Sequence, residues 1–224
     1  MNLTLWNKTL GLSSMNRKSK ITNIERNMLN LTPRVRSIII GIILSDGWMQ
    51  KRGHWNPRLG IKQSIKNFSY VWYLYKELAY LCSGDIYSGK SNLRGKIFYN
   101  LSFQTRQLSC LIEIYNLFYS IIDGKWVKTI KSDLFFYIDY IVLAHWIQGD
   151  GNKHRKALVL NTQGFKLKEV ILLINILIIK FDIRPILQND RGNYRIYISR
   201  KDLNNIKDRI SPYFVDEFLY KINC

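Results

Sequence analysis

Apolar residues recur along this chain in two rhythms, one of three and four and one of two, and the alternation between them lays out the elements. Thr32-Pro33 reads as an N-cap with proline in the first helical position, opening a helix through Ile38–Leu44 that stops at Asp46-Gly47. Two strand-like pieces follow, about Trp48–Lys51 and Leu59–Ile65, joined by the turn-rich Gly53-His54-Trp55-Asn56-Pro57, and they predict a hairpin. Val71, Leu74, Leu78 and Leu81 then keep helical spacing across Asn67–Cys82. Next, Ile97, Tyr99, Leu101 and Phe103 alternate with Phe98, Asn100, Ser102 and Gln104, so from Asn100 onward one strand face is apolar and the other polar and uncharged.

A helix around Leu108–Tyr119 and a basic linker over Asp123–Lys131 lead to a second apolar helix, expected to begin near Ser132 and ending at Gly149-Asp150-Gly151. The order of elements then repeats. Ala157–Gln163 reads as a strand and Leu167–Lys180 as an amphipathic helix; Ile183–Gln188 and Tyr194–Ser199 form a hairpin across Asn189-Asp190-Arg191-Gly192. In the last strand Tyr194, Ile196 and Ile198 alternate with Asn193, Arg195 and Tyr197. Each half also closes on a lysine among apolar residues, Lys128 in Trp126–Ile130 and Lys221 in Leu219–Ile222, a position that suits a lysine snorkelling at a helix end. The expected organisation is a basic N-terminal arm over 1–31, a first half over 32–127 and a second over 128–224.

The two motif segments, Ile39-Ile40-Gly41-Ile42-Ile43-Leu44-Ser45-Asp46-Gly47 and Leu143-Ala144-His145-Trp146-Ile147-Gln148-Gly149-Asp150-Gly151, are both apolar runs with a small residue inside and Asp-Gly at the end. Helices packed through their small residues would bring Asp46 and Asp150 close together; bulky Trp146 and Ile147 leave Ala144 and Gly149 as the expected contact surface of the second. Carboxylates at helix C-termini meet an unfavourable dipole and, when paired, repel each other. A divalent cation offsets both, and Mg²⁺ accepts one or two carboxylates plus phosphate oxygens. Charge narrows the partner: 34 Lys and Arg against 16 Asp and Glu give +18 in 224 residues, spread along the whole chain, which points to nucleic acid.

Other classes drop out. With 47% hydrophobic and 13% aromatic residues the chain can bury a core. Cys82, Cys110 and Cys224 are odd in number and lack Cys-x-x-Cys spacing, which argues against a disulfide framework or zinc site. The longest apolar stretch, Val170–Phe181, is interrupted by Asn175 and Lys180, so no membrane span is predicted. Before the first acidic residue, Glu25, the chain mixes Lys8, Arg17, Lys18 and Lys20 with serines and threonines, a make-up shared by transit peptides and by basic arms that lie on DNA. Abundant Ile, Asn, Lys and Tyr are residues of AT-rich, organelle-like genes. His54, His145 and His154 are scattered; His145, inside a motif helix, is expected to serve packing. No Gly-rich phosphate loop or Ser/His/Asp arrangement competes with the aspartates.

The two motifs, with Leu31-Thr32-Pro33-Arg34 before the first, Leu158–Gln163 after the second and the closing Tyr220-Lys221, resemble a single-chain LAGLIDADG homing endonuclease of the fungal mitochondrial, intron-encoded kind. The resemblance implies an α+β, pseudo-twofold duplicated αββαββα fold whose two curved antiparallel sheets form a DNA-binding saddle. It implies Asp46 and Asp150 as metal-binding catalytic carboxylates, Lys128 and Lys221 as basic residues beside the scissile phosphates, and a metal-dependent double-strand break with short 3′ overhangs at a long asymmetric site. On that frame the polar strand faces supply base readers: Lys62, Ser64, Asn100, Ser102, Gln104, Arg184, Gln188, Asn193 and Arg195. Lys51, Arg52, Lys90, Arg94, Lys153 and Arg155 are expected in loops against phosphates. Gln63 and Gln163 end equivalent strands and are candidates to position water, although alternation puts Gln63 on the apolar face. Expected partners are double-stranded DNA and, for an RNA-binding intron maturase built on the same fold, intron RNA; a mitochondrial monomer with Mg²⁺ is expected. A DNA-binding regulator with a dead nuclease fold would have lost one aspartate, and both are intact.

Overall fold

The computed structural model of the chain describes residues 21–93 and 95–223; the expectations for residues 1–20, Arg94 and Cys224 lie outside them. The chain divides into two compact units. One joins Asp46–Ile112 to the segment ending at Leu31; the other joins Thr32–Ser45 to Glu113–Cys224.

The first unit carries a short helix α1 (Asn23–Met28), announced by a capping box in which the Thr22 hydroxyl accepts from the Glu25 amide and the Glu25 carboxylate accepts from Thr22. Its core is a four-stranded antiparallel sheet, β1 (Trp48–Gln50), β2 (Arg58–Ser64), β3 (Tyr87–Leu93) and β4 (Lys96–Gln104), in the order β1-β2-β4-β3. Helix α3 (Phe68–Leu78) buries Val71, Leu74 and Leu78 on the expected stripe and meets the sheet, Tyr75 lying edge-on to Phe103. Leu101 and Phe103 are buried as alternation demands, whereas Ile97 and Tyr99 on the same face are 60% and 47% exposed.

The second unit is organised around helix α2 (Pro33–Leu44), whose Thr32 hydroxyl caps the Val35 amide at 3.2 Å, and helix α5 (Tyr140–Asp150). Both are apolar all round, the pattern of helices without a solvent face, and α2 is buried from Ser37 to Leu44. They run in the same direction. Ser37 donates to Asp139 at 2.6 Å at one end, and further along a Cβ on Gly41 would lie 2.6 Å from the Val142 carbonyl and 2.7 Å from the His145 Cβ. The surface α5 offers to Gly41 is therefore Val142 and His145, not the expected Ala144 and Gly149; the glycine lets α2 sit on the partner's backbone, so the partner needs no small residue there. His145 packs, as expected.

Around this pair stand helix α4 (Ile112–Phe118), a ribbon of β5 (Tyr119–Ile122) and β6 (Lys125–Lys128), a second four-stranded antiparallel sheet in the order β7-β8-β10-β9, and helices α6 (Leu167–Phe181) and α7 (Arg200–Ile210). The sheet's strands are β7 (Gly151–His154), β8 (Ala157–Leu160), β9 (Ile186–Asp190) and β10 (Asn193–Ile198). Two expectations are corrected here. The second motif helix does not begin near Ser132: Ser132–Phe136 is a 3-10 turn, and α5 starts at Tyr140, where Asp139 accepts from the Val142 amide at 2.8 Å. Asp123–Lys131 is not merely a linker, because Asp123 and Gly124, both at positive φ, turn β5 into β6. Lys128 accordingly ends a strand, not a helix.

Candidate active site

Asp46 follows the first of the paired helices and Asp150 is the last residue of the second. The Ser45 hydroxyl donates to the last-turn carbonyls of Gly41 and Ile42, closing α2, and the chain turns at once through Asp46 into β1. Asp46 is exposed, yet its carboxylate is held: Gln63 Nε2 donates to Asp46 Oδ2 at 2.5 Å. Gln63 is on the apolar face of β2, as alternation predicts, but near the strand's end, where that face gives way to the turn carrying Asp46. Asn67 in turn donates to Gln63 Oε1 at 2.9 Å. Beneath lies Tyr70, whose phenol is pushed well above its ordinary pKa by burial and then by the Asp46 charge, so it stays a neutral hydroxyl.

Asp150, the last residue of α5, is half-buried and fixed through its main chain: its carbonyl accepts from the Asn161 amide N–H at 3.1 Å and from Asn161 Nδ2 at 3.0 Å. A Cβ on Gly151 would fall 2.5 Å from the Ile147 carbonyl, so the chain can leave the helix on this path only with glycine there. The C-terminus of α5 has its own cation. Lys221 is 5% exposed, its Nζ donates to the Gln148 carbonyl at 2.7 Å and lies 4.5 Å from the Phe218 ring centroid. This is a capping charge inside the protein, not a lysine snorkelling to solvent, and it opposes the dipole that Asp150 meets. Buried Gln148 anchors the preceding loop, donating to the Tyr213 carbonyl at 3.0 Å and accepting from the Val215 amide at 2.9 Å. Lys128 is half-buried, with Nζ 5.5 Å from the Phe165 ring centroid.

The two glutamines part company. Gln163 lies beyond β8 and donates to Asp190 at 3.0 Å, the carboxylate that also pairs with Arg195 at 3.3 Å. Asn161 is the polar residue at Asp150, and the signal for it was register: β7 and β8 pair Gly151 with Leu160, which puts Asp150 opposite Asn161.

The expected base readers fall largely on two sheet faces. In the first sheet Lys62 is opposite Ser102, Ser64 opposite Asn100 and Gly60 opposite Gln104, so all five candidates share one face. Sequence reading missed Arg58 on the same face, its guanidinium held by Gln50 at 2.6 and 3.1 Å, and Trp48, whose indole covers Gly60 so closely that a Cβ there would lie 2.5 Å from the ring. Ser64 also caps the 3-10 turn that follows, and Asn100 donates to Ser91 at 2.8 Å. In the second sheet Arg195 is opposite Gln188, with Asn193 opposite Asp190, while Arg184 is exposed just before β9. Arg52 and Arg155 are in exposed loops and Lys51 in a half-buried one; Lys153 and Lys90 are in strands β7 and β3, not loops, and Lys153 donates to the Asn223 carbonyl at 2.6 Å. Gln188 also lines a cavity of about 500 Å³ with His154, Arg155, Lys156, Tyr197 and Arg200.

Comparison with known proteins places these features in context. Residues 36–206 match the model of the LAGLIDADG DNA endonuclease family. Cytochrome b mRNA maturase bI2 of Saccharomyces cerevisiae is 30% identical over 96% of this chain, which spans 53% of that relative. Probable intron-encoded endonuclease 1 of Wickerhamomyces canadensis is 30% identical over 90% of this chain and 89% of its own length. Among solved structures, the homing endonuclease I-WcaI bound to its DNA recognition sequence superposes with a TM-score of 0.83 at 25% identity, covering 94% of this chain and 96% of that one.

Proposed function

The chain belongs to the LAGLIDADG DNA endonuclease family, and from that premise we propose that it is a site-specific endonuclease that breaks both strands of a long asymmetric DNA target with a divalent metal, leaving short 3′ overhangs. The observation that carries this reading is the parallel packing of α2 on α5 through Gly41, with an aspartate at the C-terminal end of α5 and another two residues beyond the C-terminal end of α2. Asp46 and Asp150 are the two catalytic carboxylates, each serving one scissile phosphate, within halves divided as 32–127 and 128–224.

The donor set fits a hard cation. Among the described residues no group of three or more His, Cys, Asp or Glu side chains gathers to form a complete cage, whereas Mg²⁺ asks for only one or two carboxylates beside phosphate and water. Asp46 commits Oδ2 to Gln63 and has a second oxygen for the ion. A divalent ion held there by the Asp46 carboxylate would supply Lewis acidity to activate water and would offset charge on the phosphate. The protein's own groups do the rest. Gln63 orients the Asp46 carboxylate, Lys221 holds the end of α5 and with it Asp150, and Lys128 adds positive charge in the second unit. Lys62, Ser64, Asn100, Ser102, Gln104, Arg184, Gln188, Asn193 and Arg195 read base edges, and Lys51, Arg52, Lys153 and Arg155 neutralise phosphates. The protein works as a monomer in mitochondria, on double-stranded DNA.

The test is a supercoiled plasmid carrying the intron-free junction of the gene that hosts this coding sequence, incubated with Mg²⁺. Wild type should linearise it. Asp46→Asn and Asp150→Asn should each slow cleavage on the order of 100-fold or more while still binding, since each removes charge that holds the ion. The second reading is an intron maturase, favoured by the 30% identity to a maturase over 96% of the chain. A wild-type protein that binds intron RNA tightly, leaves the junction uncut and is indifferent to both substitutions would establish that reading instead.

A further inference from the structure

Resting on the endonuclease reading, we propose that Asn67 is a positioning residue for the Asp46 carboxylate alone, acting through Gln63, so that the two strands are cut with unequal reliance on it. Asn67 ends the 3-10 turn Ile65–Asn67 and directly precedes α3. The helical run that includes it is capped by Ser64, so the Asn67 side chain has no capping duty and makes no cap bond. Its Nδ2 turns to Gln63 Oε1 at 2.9 Å.

The consequence follows from the two unlike ends of an amide. A glutamine beside a carboxylate can present a donor or an acceptor, and only the donor is attractive. With Asn67 donating to Oε1, the other end of the amide, Nε2, is left to face Asp46 Oδ2, which it meets at 2.5 Å. Asn67, Gln63 and Asp46 form a relay in which each donor sets the next group. Asp46 is exposed on a turn, where a carboxylate without a brace spreads over its rotamers. In the second unit Asn161 donates to the Asp150 main-chain carbonyl, and Gln163 donates to Asp190.

The plasmid cleavage assay distinguishes the alternatives by resolving supercoiled, nicked and linear forms, with each strand labelled separately. In Asn67→Ala one strand should be cut on the order of 10- to 100-fold more slowly, the usual cost of removing a group that orients a catalytic ligand, so nicked circles accumulate. The other strand and the Kd for the junction should change less than about 2-fold, and Asn67→Asp, equal in size but unable to donate, should do the same. Because Asn67 acts through Gln63, the double variant Asn67→Ala with Gln63→Ala should be no slower than Gln63→Ala. Equal slowing of both strands, unchanged rates, or a loss that adds to that of Gln63→Ala overturns the relay. A wild-type protein that cuts neither strand overturns the endonuclease reading itself, an outcome separate from these.

Discussion

Single residues in the helix interface carry consequences for stability as well as for the site. His145 has no solvent exposure and its pKa is pushed down to about 3, chiefly by burial and then by the Arg34 charge, so the imidazole is neutral in the fold. In the unfolded chain it titrates near 6.5, hence the unfolded state binds the extra proton below that pH and stability falls as pH drops from about 6.5 toward 3. The slope approaches about 1.4 kcal/mol per pH unit, or about 2 kcal/mol between pH 6.5 and 5. Urea melts at the two pH values should show this loss in wild type, and a His145→Gln variant should show about 2 kcal/mol less of it. That His145 packs was legible, because it interrupts an apolar run. The polar contacts that finish the site were not. Asn161 falls within an expected strand and Asn67 at the start of an expected helix, and their roles arise from strand register and from a side chain that turns to Gln63.

At the scale of elements, the same helix pair shows which patterns report structure. Runs with clean periodicity, such as Val71–Leu81 and Tyr194–Ile198, became the helix and strand they implied. The start of α5 was hidden because Leu134–Ile138 is as apolar as the helix beyond it; only the Asp139 cap marks the boundary. The β5–β6 ribbon was masked by its lysines, although Asp123-Gly124 carried the turn signal. The packing of α2 on α5 gives a test of its own. Gly→Ala in a helix usually gains about 1 kcal/mol of propensity. At Gly41 the added Cβ would meet the Val142 backbone at 2.6 Å, and backbone cannot rotate away. Overpacking of this kind costs about 1–3 kcal/mol, and more when backbone must shift, so Gly41→Ala should lower Tm by several degrees and slow cleavage. Gly84→Ala, where a Cβ meets nothing within 4 Å, is the control and should leave both unchanged.

For the whole molecule the governing quantity is charge. A protein carrying +18 over 224 residues gains most of its DNA affinity by displacing counterions from phosphates, a contribution blind to sequence. That excess was readable from composition alone, and the proposed division of cations between phosphates and base edges follows from the loops and strand faces expected in the sequence. Arg52 and Arg155 are exposed in loops, and Lys62 is on the polar face of β2. The division predicts different behaviour under salt. Removing a phosphate contact, as in Arg52→Ala or Arg155→Ala, should reduce the slope of log Kd against log salt by about 0.9 and weaken cognate and unrelated DNA alike. Lys62→Ala should leave that slope nearly unchanged and cost about 1–3 kcal/mol against the cognate junction only, relaxing preference at one base pair. Titrations of labelled cognate and scrambled duplexes across 50–200 mM salt separate the two behaviours; a slope change for Lys62→Ala equal to that of Arg52→Ala would move Lys62 from base reading to phosphate neutralisation.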